Sequence, residues 1–298
     1  MFKNIYFFNW YGNGDILNSK EYVRELAERM PEVKFYYLHP KNPRIFEDMG
    51  NLFEHGSITE KCDNSKGFII YGDDLYFNTW IGRDSRYVLP GITCTDIMNR
   101  KMLNDILETA GMDIRLERPF IDYIPSINFN KLQPKYLMRV ARFLTRNEKA
   151  RKILICNGDV QSNQATNFDF GPVIEKLCKL YPEDIFIATT LFKTELVYPN
   201  LYFTSDIIKA DDGFDLNEIG YLSRKVVLTI GRASGPSVFT QHKENMLDPT
   251  KKFLVFSNHP DCITFMKGAK SKVEFFWSGE TQLDRVYEEI KEVLDKYV

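Results

Sequence analysis

The sequence predicts an α/β fold made of two doubly wound lobes with parallel sheets, on three observations. The chain has 298 residues, which is enough for two domains of about 150 residues each. Strand-like and helix-like segments alternate along the chain, and this order starts again at Lys152. The apolar share of 44% and the charged share of 27% are ordinary for a folded globular protein. We therefore expect one lobe over residues 1–150 and a second over 151–298.

A strand, a helix and a second strand open the first lobe, over residues 4–9, 16–30 and 33–38. The apolar residues of 16–30 recur at helical spacing, and Pro31 ends that pattern. Because a crossover of this kind joins parallel strands, the sheet should be parallel. Two further strands and a helix that stops at Gly111 complete the lobe: 67–71, 75–81 and 95–110.

A basic, helix-prone segment over 135–151 is predicted to connect the lobes; its arginines are Arg139, Arg142, Arg146 and Arg151. The second lobe then repeats the alternation of the first. Its predicted strands are 152–156, 184–188, 200–204, 225–230, 253–256 and 273–277. Its predicted helices are 170–180, 216–222 and 283–297, with another after the glycine-rich turn near residue 235.

Charge and cysteine content exclude several classes of protein. The formal net charge is −2, from 39 Lys and Arg against 41 Asp and Glu, so no global field favours nucleic acid as a partner. The five cysteines lack CxxC spacing and the four histidines lack metal-ligand spacing, which disfavours a disulfide framework or a metal site. No run approaches the ~20 apolar residues of a spanning helix. We expect a cytoplasmic protein.

The turn Gly14-Asp15-Ile16-Leu17 follows the apolar run at residues 5–8 and opens the first helix. An acid at the carboxyl end of a first parallel strand lies where open α/β sheets bind ligands, so Asp15 is a candidate catalytic base. The alternative is that Asp15 only caps the helix.

Three features of the second lobe are candidates for binding an anion such as a diphosphate. The segment 231–237 follows a strand and precedes a helix, so its N–H groups would point at a ligand, and Arg232 would add a charge-assisted contact. The polar loop 157–164 follows the first strand of that lobe, and Lys193 follows another. The alternatives are a plain turn, a solvated loop and a surface lysine.

An acceptor site is predicted at the end of a first-lobe strand, where Asn78, Trp80, Arg83 and Arg86 follow one another. An aromatic ring beside guanidinium groups can bind a sugar or an anionic acceptor. The alternative places Trp80 in the core and both arginines in solvent.

These features resemble the two-lobed GT-B glycosyltransferases, and most closely family 9, the family of lipopolysaccharide heptosyltransferases. Gly14-Asp15-Ile16-Leu17 matches that family's Gly-Asp-x-Leu turn, and Ser234-Gly235-Pro236 matches the last three positions of its Asp-Thr-Gly-Pro signature. Ala233 departs from the signature's acid, and Val238 stands where the family commonly has a histidine.

The resemblance implies two Rossmann-like lobes and an inverting transfer from a nucleotide-sugar donor to a glycan or lipid-linked acceptor, with Asp15 as the base. It implies no metal ion, no organic cofactor and peripheral contact with a membrane. The predicted donor-binding residues are Asn157, Gly158, Ser162, Lys193, Arg232, Ser234, Gly235, Pro236 and Ser237. The predicted acceptor-binding residues are Asn13, Gly14, Asn78, Trp80 and Arg83. The alternatives are a nucleotide-sugar epimerase on the same fold and a non-catalytic protein that binds a nucleotide or a sugar.

Overall fold

A computed structural model of the chain describes residues 2–80, 95–266 and 270–298, with the backbone alone at Asn51 and at 95–99. The chain divides into two compact units. Unit 1 comprises residues up to Leu132 together with Thr264–Lys270, and unit 2 comprises Gln133–Ile263 and Ser271–Val298.

The sheet of unit 1 has five strands in the order β3-β2-β1-β5-β4. They are β1 (Asn4–Phe8), β2 (Lys34–Leu38), β3 (Glu54–Gly56), β4 (Phe68–Tyr71) and β5 (Asp74–Asn78). The first four in that order are parallel, as predicted. The prediction is wrong for β4, which pairs antiparallel with β5. The reason is a two-residue turn in which Gly72 has a φ of 59°, a conformation that glycine adopts without strain.

The helices of unit 1 are α1 (Asn13–Asn18), α2 (Lys20–Arg29) and α3 (Thr95–Thr109). Short 3₁₀ segments cover Pro43–Leu52, Phe120–Tyr123 and Phe129–Lys131. The single helix predicted over 16–30 is therefore two helices. Ser19 separates them, and its hydroxyl donates a hydrogen bond of 2.8 Å back to the carbonyl of Ile16. Such a bond offers the backbone an alternative to continuing the helix.

The sheet of unit 2 has six strands, all parallel, in the order β11-β10-β9-β6-β7-β8. They are β6 (Lys152–Cys156), β7 (Ile185–Ala188), β8 (Leu201–Phe203), β9 (Leu228–Arg232), β10 (Lys252–Phe256) and β11 (Glu274–Ser278). The helices are α4 (Pro134–Arg146), α5 (Gly171–Leu180), α6 (Thr204–Ile208), α7 (Leu216–Ser223), α8 (Gly235–Thr240), α9 (Lys243–Met246) and α10 (Leu283–Tyr297). A short 3₁₀ segment, Pro260–Cys262, follows β10.

The core of unit 2 lies between its sheet and the helices α5 and α10. Ile155, Phe186 and Ile230 from the strands pack with Ile174 and Ile290 from those helices, and all five side chains are buried. Helix α4 also belongs to this unit, packed on α6 and α7. The structure thus divides the chain ahead of α4, whereas the sequence placed the basic segment at the end of the first lobe.

Each sheet contains one point where the direction of strand addition reverses. In unit 1 the chain adds β2 and β3 on one side of β1 and β5 on the other. In unit 2 it adds β7 and β8 on one side of β6, and β9 to β11 on the other. Open α/β sheets bind ligands at the carboxyl ends of the strands at such points. We call these places the β1/β5 edge and the β6/β9 edge.

Among the described residues, no helix combines the length and the apolar character needed to cross a membrane.

Candidate active site

Asp15 lies at the β1/β5 edge, in the first turn of α1. Gly12 is the N-cap of that helix, and its N–H donates a 3.1 Å hydrogen bond to Oδ2 of Asp15. Asp15 is therefore the N3 residue of the helix. Its carboxylate accepts from the N–H of the N-cap, as in a capping box, and so also caps the helix, which is close to the alternative role that the sequence allowed. Asp15 forms no ion pair with any described residue, and burial raises the pKa of its carboxyl above that of an exposed aspartate. A raised pKa makes the carboxylate a better proton acceptor.

A chain of buried hydrogen bonds lies beneath α1 and joins four segments of the unit. The amide of Asn9, after β1, donates to Oγ1 of Thr79 at 3.1 Å. The hydroxyls of Thr79 and Tyr37 are 2.8 Å apart, and those of Tyr37 and Ser19 are 2.7 Å apart. Tyr37 belongs to β2, and Ser19 separates α1 from α2. These hydrogen bonds therefore attach the helix that carries Asp15 to β2 and to the ends of β1 and β5.

The direction of this chain follows from counting protons. The hydroxyl of Ser19 uses its single proton in the bond to the carbonyl of Ile16. Tyr37 must therefore be the donor to Ser19, and Thr79 directs its proton to Tyr37 at 2.8 Å, the shorter of its two contacts, the other being 3.3 Å to the carbonyl of Phe8. Burial raises the pKa of Tyr37, so its hydroxyl keeps its proton.

Two aromatic rings form a stack at the same edge. Tyr11 and Trp80 lie with ring centroids 3.7 Å apart, and Asn64 donates to the hydroxyl of Tyr11 at 2.8 Å. Trp80 is half-buried in this stack. Asn78 is fully buried, where it accepts from the N–H of Trp80 at 3.0 Å and donates to the carbonyl of Lys66 at 3.1 Å. Its amide therefore positions Trp80, a correction to its predicted contact with an acceptor.

Trp10 is a member of this edge that the sequence reasoning did not select. Its side chain is 44% exposed, although its indole N–H donates to the carbonyl of Cys62 at 3.0 Å. An exposed ring held by its one polar atom presents a flat apolar face to solvent. Its place two residues after β1, in the loop that leads to the helix of Asp15, was the signal available in the sequence.

The other predicted acceptor residues differ in what the structure shows of them. Asn13 and Gly14 belong to the first turn of α1, and Oδ1 of Asn13 is buried without a hydrogen-bond partner. Arg83 lies outside the described residues, as does Arg86.

The β6/β9 edge brings the two predicted donor loops side by side. Cys156 at the end of β6 pairs with Gly231 in β9. A Cβ atom at Gly231 would lie 2.6 Å from Cβ of Cys156, so only glycine permits this approach of the strands. The β6–α5 loop, residues 157–170, and the β9–α8 turn, residues 233–234, therefore begin next to one another.

Asn157 has a structural role at this edge. Its Oδ1 accepts from the N–H of Thr190 at 2.8 Å, and its Nδ2 donates to the carbonyl of Thr190 at 2.8 Å. Because both ends of the amide are used, Asn157 holds the segment after β7 rather than offering its side chain to a ligand. Gly158 follows it and lies against the side chain of Thr190.

Arg232 points into the protein, contrary to the expected contact with an anion. Its side chain is fully buried, and its guanidinium donates to the carbonyls of Gly158 at 2.8 Å and Asn157 at 3.3 Å, and also to that of Phe168. The guanidinium carbon lies 5.0 Å from the ring centroid of Phe170, and burial lowers the pKa of the group. In this arrangement Arg232 fastens the β6–α5 loop to β9.

Three predicted donor residues keep polar groups available at this edge. Oγ of Ser234 is buried without a hydrogen-bond partner at the start of α8. Lys193 is exposed in the loop after β7 and forms no ion pair with any described residue. Ser162 is exposed as well, and its hydroxyl accepts only a 3.4 Å bond from the N–H of Gln164.

The last three predicted donor residues, Gly235, Pro236 and Ser237, form the first turn of α8, where Ser237 is buried. The part of the chain that the structure describes contains no group of three or more His, Cys, Asp and Glu side chains placed to hold a metal ion.

No protein-family model matches the sequence, and no curated protein sequence matches it. Solved structures match it over nearly its whole length. A glycosyl transferase family 9 protein from Veillonella parvula has a TM-score of 0.53 at 11% identity, covering 99% of this chain and 90% of that one. The E. coli heptosyltransferase WaaC, solved with ADP, has a TM-score of 0.54 at 7% identity, covering 99% and 100%.

The chain has the GT-B fold of these glycosyltransferases. A third GT-B match is a Listeria monocytogenes protein assigned to the UDP-N-acetylglucosamine 2-epimerases, with a TM-score of 0.51 at 10% identity, covering 99% of this chain and 89% of that one. The GT-B fold accommodates both transfer and epimerisation, so the choice between them depends on the residues at the two edges.

Proposed function

We propose that the protein is a glycosyltransferase that moves a sugar from a nucleotide-sugar donor to a hydroxyl of a glycan or lipid-linked acceptor with inversion at the anomeric carbon. The observation that carries the proposal is the state of Asp15. It lies at the β1/β5 edge, held by the N–H of Gly12, and burial raises its pKa. A carboxylate with a raised pKa that forms no ion pair with a described residue is suited to act as a general base.

In the proposed reaction Asp15 takes the proton of the acceptor hydroxyl. The hydroxyl oxygen forms a bond to the anomeric carbon as the bond from that carbon to the diphosphate oxygen breaks. The diphosphate leaves with the electron pair of the broken bond. The side chains of the aromatic stack, Tyr11 and Trp80, and the exposed ring of Trp10 would pack against the acceptor.

On the donor side, we expect the diphosphate to bind at the β6/β9 edge. Three kinds of group support this: the unpartnered hydroxyl of Ser234, the ammonium of Lys193, and the main-chain N–H groups in the first turn of α8. Fixed donors of this kind stabilise charge that develops on a leaving group. We expect the reaction to proceed without a metal ion, and we expect a reducing cytoplasm as its location.

A second candidate function is the epimerisation of a nucleotide sugar, which the Listeria monocytogenes match favours. An epimerase releases an altered nucleotide sugar without any acceptor, whereas a transferase releases a free nucleoside diphosphate. Product analysis with and without acceptor therefore separates these functions. A non-catalytic binding protein would release neither product.

The first experiment is a thermal-shift screen with ADP, UDP, GDP, CDP and their common sugar conjugates. A ligand at a hundred times its Kd stabilises the native state by ~2.7 kcal/mol, which raises the melting temperature measurably. We expect one nucleoside diphosphate to give a selective shift. S234A should reduce that shift, because the hydroxyl of Ser234 is buried without a partner, whereas S205A, which changes an exposed serine in α6, should not. No shift with any compound contradicts the proposal.

A further inference from the structure

Trp277 presents a fixed aromatic ring at the end of β11. Its side chain is 41% exposed, and its indole N–H donates to the carbonyl of Ser257 at 3.2 Å and to Oγ of the same residue at 3.0 Å. The far edge of the ring lies against the backbone of Gly279, where an added Cβ would be 3.3 Å from Cζ2 of the ring. The ring is therefore held at both edges, while a large part of its surface stays open to solvent.

The core of unit 2 does not account for this ring. The neighbouring residue Phe276 packs on α10, where its ring centroid lies 4.9 Å from that of Tyr297. Because side chains alternate between the two faces of a strand, Trp277 projects from the other face of β11. Trp277 pairs with Val255 in the register of β10 and β11, yet its indole reaches Ser257, two residues further along the chain. The ring thus leans toward the carboxyl ends of the strands.

Trp277 lies at the same end of the sheet as the β6/β9 edge. All six strands of unit 2 are parallel, and β10 alone separates β9 from β11. Neighbouring strands lie about 4.8 Å apart, so β11 is roughly 10 Å from β9 across the sheet. A nucleotide sugar bound through its diphosphate at the β6/β9 edge is long enough for one of its two ends to reach Trp277.

The loop between β6 and α5 connects the two places. Asn258, after β10, donates from its N–H to the carbonyl of Gln164 and from its Nδ2 to that of Asn163, at 2.9 Å each. Since β9 lies between β6 and β10, this loop crosses the end of β9. It is fastened next to Ser257, the residue that holds the indole of Trp277. The β6–α5 loop and Trp277 therefore belong to one continuous surface of unit 2.

The order of the strands indicates which end of the donor reaches the ring. In dinucleotide-binding sheets the pyrophosphate lies after the first strand of a βαβ unit, and an acid about 20 residues further on contacts the ribose. By this analogy the nucleoside of the proposed donor extends from β6 toward β7. The sugar then extends the other way, across β10 toward β11.

The charges at this end of the sheet favour a neutral sugar. The segments that follow β10 and β11, residues 257–262 and 278–282, contain Asp261 and Glu280 and no Lys or Arg. Two main-chain N–H groups of the second segment donate to Glu280 and lower the pKa of its carboxyl, so this group is ionised at neutral pH. A carboxylate on the sugar would meet like charge here, without a cation from either segment.

We infer that Trp277 is the platform on which a neutral pyranose, the sugar of the donor, packs its C–H face, and that this ring selects the sugar that is transferred. The inference rests on the proposed use of a nucleotide sugar. It adds to that proposal the class of the sugar and the residue that recognises it.

The test compares a nucleoside diphosphate with its conjugates, using the nucleotide that the thermal-shift screen selects. In titration calorimetry W277A should raise the Kd of the hexose conjugate about tenfold, the effect of losing one stacked ring, and leave the Kd of the nucleoside diphosphate unchanged. The hexuronate conjugate should bind the unchanged chain more weakly than the hexose conjugate does. Y297A, which removes an exposed ring of α10 in the same unit, is the matched control and should bind all three compounds as the unchanged chain does.

G279V provides a second measurement, because it displaces the ring without removing it. The added side chain occupies the space that the edge of Trp277 fills, so this variant should show the same selective loss. An unchanged Kd for the hexose conjugate in both variants overturns the inference. An equal loss for the diphosphate and its conjugates also overturns it, because that result places the nucleoside on the ring, and tighter binding of the hexuronate contradicts a neutral sugar. Failure of every nucleotide to bind the unchanged chain refutes the proposed function, and this inference with it.

Discussion

At the residue scale, the environment of Asp15 determines both its reactivity and its effect on stability. Because burial raises the pKa of this carboxyl, the folded state binds its proton more tightly than the unfolded state does. The ionised form therefore lowers the stability of the folded state at neutral pH, and that cost disappears as the pH falls through the raised pKa. A base in this state is active only above that pKa.

We predict that D15N lowers the transfer rate by a factor of about 10² to 10⁴, the usual contribution of a general base. The rate of the unchanged enzyme should rise with pH through the raised pKa of Asp15, and D15N should lack that limb. The stability of D15N at neutral pH should be no lower, because no buried charge remains. The measurements are pH–rate profiles and urea unfolding of both proteins. An identical acid limb in D15N would remove Asp15 from the mechanism.

Tyr37 offers a second test at this scale. Its hydroxyl donates to Ser19 and accepts from Thr79 in the series of hydrogen bonds beneath α1. Y37F should lower the free energy of unfolding by about 1–3 kcal/mol, since the two remaining hydroxyls lose a buried partner. Y36F, which changes a half-buried tyrosine in the same strand, is the matched control and should have little effect. If the two variants have the same free energy of unfolding in urea, the hydrogen bonds of Tyr37 do not contribute to the stability of the fold.

The sequence could predict where Asp15 lies but not what Asn157 and Arg232 do. A glycine-acid turn after an apolar strand is a local pattern, and it placed Asp15 at the β1/β5 edge. The partners of the other two side chains are main-chain groups at Thr190 and at Gly158 and Phe168, more than 30 residues away in sequence. Every residue has a main-chain carbonyl, so the sequence does not indicate which carbonyls will accept these hydrogen bonds.

At the element scale, α2 carries charged side chains into the interior. The carboxylate of Glu25 accepts from the hydroxyl of Tyr123 at 2.6 Å, and that of Glu21 from the N–H of Ser126 at 2.9 Å. Lys20 and Asp48 form an ion pair of 2.5 Å in which neither side chain is exposed. A buried charge without its partner is strongly unfavourable, so this pair determines whether α2 can pack here.

We predict that K20M lowers the free energy of unfolding by about 3 kcal/mol, because it removes the close cation from the buried carboxylate of Asp48 and leaves it only Arg24 at 3.9 Å and the N–H of Asn128 at 2.8 Å. K20M/D48N should recover part of that loss, since the double variant buries no charge. K3M breaks an ion pair of 2.6 Å whose side chains are exposed, and it should change the stability little. Urea unfolding of the three variants provides the comparison. A loss in K20M as small as in K3M would contradict the prediction.

The strands of unit 2 were predictable because each contains a short cluster of apolar residues, such as Ile153–Cys156 in β6 and Phe253–Phe256 in β10. The predicted strand 152–156 has the bounds of β6, and the predicted helix 283–297 has those of α10. In contrast, the helix that contains α2 was predicted from the spacing of its apolar residues alone, and that spacing assigns no role to its charged residues. The carboxylates of Glu21 and Glu25 are bound by the segment 120–128, for which the sequence predicts no helix or strand. The spacing of apolar residues predicts local secondary structure, but it cannot predict which charged residues are buried by a segment that is distant in sequence.

At the scale of the whole molecule, each unit has one strand-order reversal, and we propose a different role for each: acceptor binding and proton transfer in unit 1, and nucleotide binding in unit 2. Nucleotide should bind at the β6/β9 edge in unit 2, and the β1/β5 edge carries the base and the aromatic side chains in unit 1. The alternation of strands and helices predicted this arrangement of two sheets. It did not predict the antiparallel β4 or the inclusion of α4 in unit 2, because both depend on contacts between elements.

We predict that the nucleoside diphosphate selected by thermal shift slows amide hydrogen exchange in the β6–α5 loop and the β9–α8 turn. Residues 9–15 in unit 1 should exchange at their original rate, since the nucleotide alone lacks an acceptor. Mass spectrometry of peptides from the bound and free protein makes the measurement. Protection confined to unit 1 would place the nucleotide on the other sheet and contradict the assignment.

The buried guanidinium of Arg232 has a consequence for mutational scanning. R232A would free the β6–α5 loop from β9 and lower ligand affinity without deleting any contact to the ligand. R232K keeps the positive charge but has no planar fork to reach three carbonyls, so it should resemble R232A. A scan based on alanine alone would thus report Arg232 as a ligand contact. The shape of the loop is set from within the protein, and attempts to redesign ligand preference there have to begin at position 232.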